Sequence, residues 1–185
     1  MHLAHHRDTN DPSIDPDHWV AVQGPLKVLF RCFTIVFWYH QYFWKHIAFH
    51  AHIPGMRPLT IHIAAMYALL YSVAIVLSVY GYWREVLMLW IGPHIIASAM
   101  IIYFFAYLTH KPHEVHERYR DTNVFWVKGK IAEPIANWLY MFQNFHLIHH
   151  LFPRIPFYLY PKAFRDLKPV LTREQAHIYE YDFGK

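Results

Sequence analysis

The chain has 185 residues, 55% hydrophobic and 19% aromatic, a formal net charge of +4 and a pI of 9.1. That length gives room for one domain, and the crowding of apolar residues into long blocks excludes an ordinary soluble protein in favour of a membrane protein. The lone Cys32 excludes an internal disulfide and a cysteine-built zinc or iron–sulfur site. The basic residues flank apolar segments instead of forming one stripe, so the partner they fit is a negatively charged membrane face and not nucleic acid. Histidines number 17, equal to Lys plus Arg, and His is the commonest metal ligand among side chains.

In chain order, the first element is a short helix carrying His2-Leu-Ala-His5-His6. Positions i, i+3 and i+4 share one helix face, so the three imidazoles can be aimed at one point. The following DPSIDPD reads as turn chemistry, with Pro12 and Pro16 fixing the backbone. Asp15 and Asp17 are carboxylates in reach of a metal, and the expected role of Asp15 is to support the site from the turn.

Leu26 to Ile53 is apolar and aromatic but is interrupted by Lys27, Arg31, Lys45 and several histidines. It is expected to lie in the membrane interface, where Trp, Tyr and snorkelling Lys are comfortable, or else to cross. His46 and His50 within it have HxxxH spacing and fit interfacial histidines. Leu59–Trp83 and Val86–Thr109 contain no Asp, Glu, Lys or Arg. Each is long enough for one crossing at about 20 residues, and the Arg84-Glu85 break between them predicts a transmembrane helical hairpin. Gly92-Pro93 is expected to kink the second helix. His62 and His94 lie within these helices, where an interhelical hydrogen bond accounts for them. Basic residues gather on both flanks and only Arg84 sits in the turn, so both ends face the cytoplasm by the positive-inside rule.

Residues 110–185 form the cytosolic part. His113 and His116 follow His110 at three-residue spacing, but Pro112 interrupts a helix there, so they are expected to be exposed beside Glu114, Glu117, Arg118 and Arg120. Further on, His146-Leu-Ile-His149-His150 repeats the opening pattern. A hairpin between the two boxes returns the chain to the side it left, so topology and metal site agree without sharing evidence. Imidazole suits Zn, Cu, Fe and Ni. Six histidines exceed one mononuclear site with an open position, so two metals are more natural, and an apolar substrate with no hydrolytic nucleophile in sight points to iron and dioxygen. The predicted fold is all-α and integral to the membrane: a transmembrane hairpin, an interfacial helix and a cytosolic histidine-rich helical cap, one domain over 1–185.

HLAHHRDTNDPSIDPDHW, YLTHKPHEVHERY and QNFHLIHHLFPRIPFYLYPKAF resemble, in order and spacing, the second half of the membrane fatty acid desaturase superfamily, and within it most closely the desaturase-type β-carotene hydroxylases. The resemblance runs from Met1 to about Pro169. It implies two non-haem iron ions, O2 as co-substrate, electrons from a ferredoxin or cytochrome donor, and a carotenoid or other membrane lipid as substrate. It implies His2, His5, His6, His146, His149 and His150 as metal ligands and adds His110, which would emerge just past the second membrane helix. Asn10, Gln143 and Asn144 become polar neighbours of the ligands. The implied location is a bacterial inner membrane with the boxes facing the cytoplasm.

An upstream HxxxH box that the superfamily carries is missing before Met1, so Met1 is expected to be an internal methionine of a longer protein. The leading function is hydroxylation of a carotenoid ionone ring. A fatty-acyl desaturase or alkyl hydroxylase is the alternative with the same chemistry, with Trp126, Trp138 and Tyr140 as possible channel walls for either. An inactive truncated remnant or a zinc-binding scaffold is the alternative of another class. Arg154, Lys162, Arg165 and Lys168 fit either an acidic donor or lipid headgroups.

Overall fold

The computed structural model describes residues 2–47, 53 and 55–183, and they fall into two compact units: Pro25–Met100, and Met1–Gly24 together with Ile101–Lys185. His50 lies outside the described residues, as does the side chain of His46.

The unit Pro25–Met100 is helical. After α1, described below, α2 spans Pro25–Tyr42 and continues as a wider π turn over Phe43–Ile47. Its buried residues Val28, Cys32, Ile35 and Tyr42 fall on one stripe, while Leu26, Phe30 and Phe37 face outward. α3 spans Met56–Leu77. His40 fastens it to α2: the His40 Nδ1–H donates to Val36 O at 2.8 Å, which leaves Nε2 to accept from Tyr71 Oη at 2.9 Å. His62 and His94 are both exposed, and no interhelical hydrogen bond links them among the described residues, so that expectation is corrected.

α3 opens an apolar helical run, Met56–Tyr107, the one described helix long and apolar enough to cross a membrane. It passes through π turns at Ser78–Tyr82, Val86–Ile91 and Tyr103–Tyr107, with α4 (Trp83–Glu85) and α5 (Gly92–Ile102) between them. A kink in the run falls just ahead of the charged pair. Gly81 has φ 94°, ψ −1°, a left-handed backbone that glycine adopts without a Cβ penalty. The expected disturbance at Gly92-Pro93 takes the form of widening. Pro93 has no N–H to donate, the Gly92 N–H reaches back to Leu87 O, and a Cβ at Gly92 would stand 2.9 Å from that oxygen.

The other unit is not all-α, which corrects the predicted fold class. β1 (Asn123–Lys128) and β2 (His177–Asp182) pair in parallel, from Asn123↔His177 to Lys128↔Asp182. Phe125 stacks on Tyr179 at 5.3 Å between ring centres. Between the strands run α6 (Ala132–Leu139), α7 (His146–Leu151) and α8 (Tyr160–Arg173). Their core joins Val124 of β1 to Phe142, Phe145, Leu147, Ile148 and Leu151 around α7, and to Tyr160, Phe164 and Leu171 of α8. Each such side chain contributes about 1.5–3 kcal/mol by leaving water.

Phe164 is fully buried, with its ring 5.3 Å from both Phe145 and Trp126. Phe164→Ala is expected to destabilise this unit by about 3–5 kcal/mol, read as a lower thermal midpoint of the purified chain in detergent.

Candidate metal centre

α7 shows how six residues serve two purposes. Leu147, Ile148 and Leu151 enter the core, and on the opposite face of the same two turns stand His146, His149 and His150. Burial of the apolar stripe therefore fixes the direction of the histidines. In α1 (His2–Arg7), by contrast, Leu3 is 85% exposed. The helix is held by polar contacts at its end: Thr9 Oγ1 donates to His5 O at 2.8 Å, and Asp15 reaches the ring of His5. His110 stands just beyond the last turn of the apolar run, its neighbour Thr109 fully buried.

All seven histidines expected as ligands fall into two nests. His5, His110, His146 and His150 offer ring nitrogens within 4.8 Å of one another, and so do His2, His6 and His149. In the first, His146 Nε2 lies 3.0 Å from His110 Nε2 and 3.2 Å from His150 Nε2. In the second, His6 Nε2 lies 3.0 Å from the Nε2 atoms of both His2 and His149. The rings of His6 and His150, 4.2 Å apart, join the nests. The first nest is buried, whereas the second opens outward through the exposed His2. A polar cavity of about 300 Å³ lies beside it, lined by His6, Arg7, Asp8, Thr9, Asp11, His116 and Asp121, and suits water and protons better than an apolar chain.

The far sides of three rings are held. His5 Nδ1 donates to Asp15 Oδ1 at 2.8 Å, His146 Nδ1 donates to Gln143 Oε1 at 2.8 Å, and His149 Nδ1 lies 2.9 Å from Tyr160 Oη. A proton on Nδ1 leaves Nε2 as a bare lone pair in neutral imidazole. With Nδ1 engaged behind them, His5 and His146 turn Nε2 toward the other rings of the nest. A cation satisfies such an arrangement, and an all-imidazole donor set suits iron, zinc or copper. The residues present therefore fit a pair of metal ions, one for each nest.

Electrostatics favour the metal-binding form. Burial holds His110, His146 and His150 well below the usual histidine range, with neighbouring rings adding to the effect, and it takes His149 to about 4 and His6 to about 3. His5 runs the other way. Burial pushes it down, but the Asp15 hydrogen bond and the charges of Asp17, Asp15 and Asp121 outweigh that and raise it. A metal ion would replace the proton on His5 Nε2 and leave the Nδ1–H on Asp15, the carboxylate–histidine–metal relation.

Of the four supporting residues expected, Asp15 and Gln143 touch histidines and the other two act at a distance. The Asn10 N–H donates to Asp15 Oδ2, and its Nδ2 donates to Val115 O and Asp121 O, all at 2.8 Å, so Asn10 ties the turn to the 115–121 loop. Asn144 Nδ2 donates to Asn137 Oδ1 at 2.9 Å and Phe125 O at 3.2 Å, bracing α6 and β1. Tyr160 and Thr9 were not legible in the sequence; Tyr160 lies eleven residues beyond His149, with no local spacing to mark it.

Other expectations need correction. His113 is half-buried and stacks on Tyr107 at 5.3 Å, while His116 is exposed as expected but reaches Thr9 O at 3.2 Å. Trp138 is exposed and Trp126 lies under the Lys128 and Lys168 ammonium groups. Arg165 and Lys168 are engaged by Glu133 and Glu180.

Two outcomes follow from this geometry. Asp15→Asn and Gln143→Leu should each weaken metal affinity about 10–100-fold, measured by chelator competition with Co²⁺ on the purified chain. Asp121 tests the electrostatics separately, because burial pushes its carboxyl up from 3.8 to about 6. A folded pKa above the unfolded one stabilises below pH 4, and that stabilisation is lost as pH rises through 6. In the metal-free chain, Asp121→Asn should therefore gain stability relative to the parent between pH 4 and 7, by up to about 3 kcal/mol at about 1.4 per pKa unit, read from denaturation midpoints across that range.

The family model for fatty acid desaturases matches residues 1–182. No curated protein and no solved structure matches the chain. The match takes in both histidine boxes, the apolar run between them and the strand pair, and on that extent the chain belongs to the fatty acid desaturase family.

Proposed function

We propose that the chain is a di-iron, O2-dependent membrane oxygenase that hydroxylates a carotenoid ionone ring. The observation that carries the reading is the convergence of seven histidines from three separated segments into two adjacent nests just past the end of an apolar helical run. The family supports an oxidoreductase of membrane lipid metabolism. The carotenoid substrate rests on the motifs HLAHHRDTNDPSIDPD and HLIHHLFPRIPFY, and an acyl chain is the second reading, favoured by the family description itself.

His5, His110, His146 and His150 would hold one iron, and His2, His6 and His149 the other. Bound there, the pair of irons would supply the reduction of dioxygen that an unactivated C–H bond requires, with electrons from a ferredoxin or cytochrome. The chain's own residues do the rest. Asp15 and Gln143 keep Nδ1 protonated on His5 and His146, so that Nε2 stays free to bind. Burial of three rings of the first nest keeps bulk water from that side, while the cavity beside His6 provides a polar way in.

The membrane reading follows from length. A run of 52 residues is more than twice the roughly 20 that one crossing uses, and Gly81 divides it into two stretches that each suffice. We therefore read Met56–Tyr107 as a hairpin, with both histidine boxes on the cytoplasmic side of a bacterial inner membrane. Residues 26–53 would be interfacial and 110–185 cytosolic.

Expressed in its natural reading frame in a β-carotene-accumulating bacterial host, the protein should yield hydroxylated carotenoid by chromatography and purify with two irons. His146→Ala and His149→Ala should abolish the product. Iron without hydroxylated pigment but with altered acyl chains would replace the carotenoid reading by the acyl one. Zinc in place of iron, with neither product, would favour a scaffold.

A further inference from the structure

α6 (Ala132–Leu139) turns a polar side inward and an apolar side outward. Asn137 is buried, where its Oδ1 accepts from Asn144 and its carbonyl accepts from the Phe142 N–H at 2.6 Å, and Glu133 pairs with Arg165 at 2.9 Å. These contacts fix the rotation of the helix. The face they force outward carries Ile131, Ile135, Trp138 and Leu139, at the i, i+4, i+7, i+8 spacing of one stripe, with Trp138 and Leu139 70% and 77% exposed. Rotating that stripe into the core would leave Asn137 and Asn144 without each other.

The surroundings indicate what covers it. Directly after α6, Tyr140 sets its ring edge-on to Phe104 at 5.9 Å, and Phe104 belongs to the last turn of the apolar run. The outward stripe therefore starts where the apolar run ends. On the other side Trp138 rests on the buried Phe142, which in turn meets the exposed Phe157, each step 5.5 Å. The exposed Lys130 precedes the stripe, placing a cation where anionic headgroups would meet it.

We propose that this face is a second membrane contact, with α6 lying in the plane of the bilayer and its apolar stripe in the headgroup–acyl boundary of the leaflet where the apolar run emerges. Trp at such a boundary keeps its ring in the apolar layer and its N–H at the headgroups. Four residues after Leu139 the chain enters the Gln143–Phe145 turn and then α7, so α6 sets the height of the second histidine box above the acyl layer. The proposal rests on the reading of Met56–Tyr107 as membrane-spanning.

The test uses the full chain, with Cys32→Ala, in vesicles of phosphatidylethanolamine and phosphatidylglycerol. Nitroxide labels are placed singly by Leu139→Cys, with Ile135→Cys as a second site should the first not fold. Leu69→Cys in α3 and Arg173→Cys on the exposed end of α8 are the references. Collisions with O2 and with a water-soluble nickel chelate are compared. We expect labels at 139 and 135 to meet O2 several-fold more often than the chelate, giving a depth between the two references. Chelate access equal to that at Arg173, with Leu69 still in hydrocarbon, overturns this proposal and leaves the span intact. Low access to both reagents puts the face against protein and overturns it, as does dipolar broadening that marks a second copy. Chelate access at Leu69 overturns the span reading and this proposal with it.

Discussion

The hydrogen bonds behind the histidine rings are the constraint on which the rest depends. An imidazole brought near others by packing alone could point either nitrogen inward and carry its proton on either. Asp15 and Gln143 remove that freedom for His5 and His146, because each accepts from Nδ1 at 2.8 Å and so turns Nε2 toward the nest. The aim of the nests is thus set one layer out from the nests themselves. Asn10 extends the layer further, since the Asp15 carboxylate is steadied by the Asn10 backbone amide while the Asn10 side chain is tied to the 115–121 loop.

That polar layer stands on an apolar one. α7 cannot turn its histidines away from the site without pulling Leu147, Ile148 and Leu151 out of the core. Tyr160 obeys the same rule, for it begins the helix that Phe164 and Leu171 bury, and its hydroxyl is delivered to His149 by that packing. α1 contrasts with both. It brings three histidines while its Leu3 faces outward, and hydrogen bonds and ring contacts tie it to the rest of the site.

The parts legible in the sequence were those with local periodicity. The histidine boxes announce themselves at i, i+3, i+4, and the apolar run at the absence of charge over more than 20 residues. The strand pair was not legible, because NVFWVK and HIYEYD are six residues each and stabilise each other only after a separation of more than fifty residues. Asp15 could be read because it stands in a turn of recognisable chemistry. Tyr160 could not, since only the tertiary fold brings it to His149. The kink in the apolar run stands at Gly81 and not at the charged pair for a related reason: backbone conformation, not charge, decides where a helix can bend.

His6 and His149 meet across 143 residues of sequence. At about 5–20 residues per second, that separation corresponds to roughly 7–30 s of synthesis. Through that interval the first box has left the ribosome without the second, and β2, the last element described, arrives later still. Neither nest is complete while the chain is being made. A nascent chain offers only the three histidines of the first box, on a short helix whose Leu3 faces outward. A closed set of imidazoles therefore exists only once the second box has been made and has folded back onto the first.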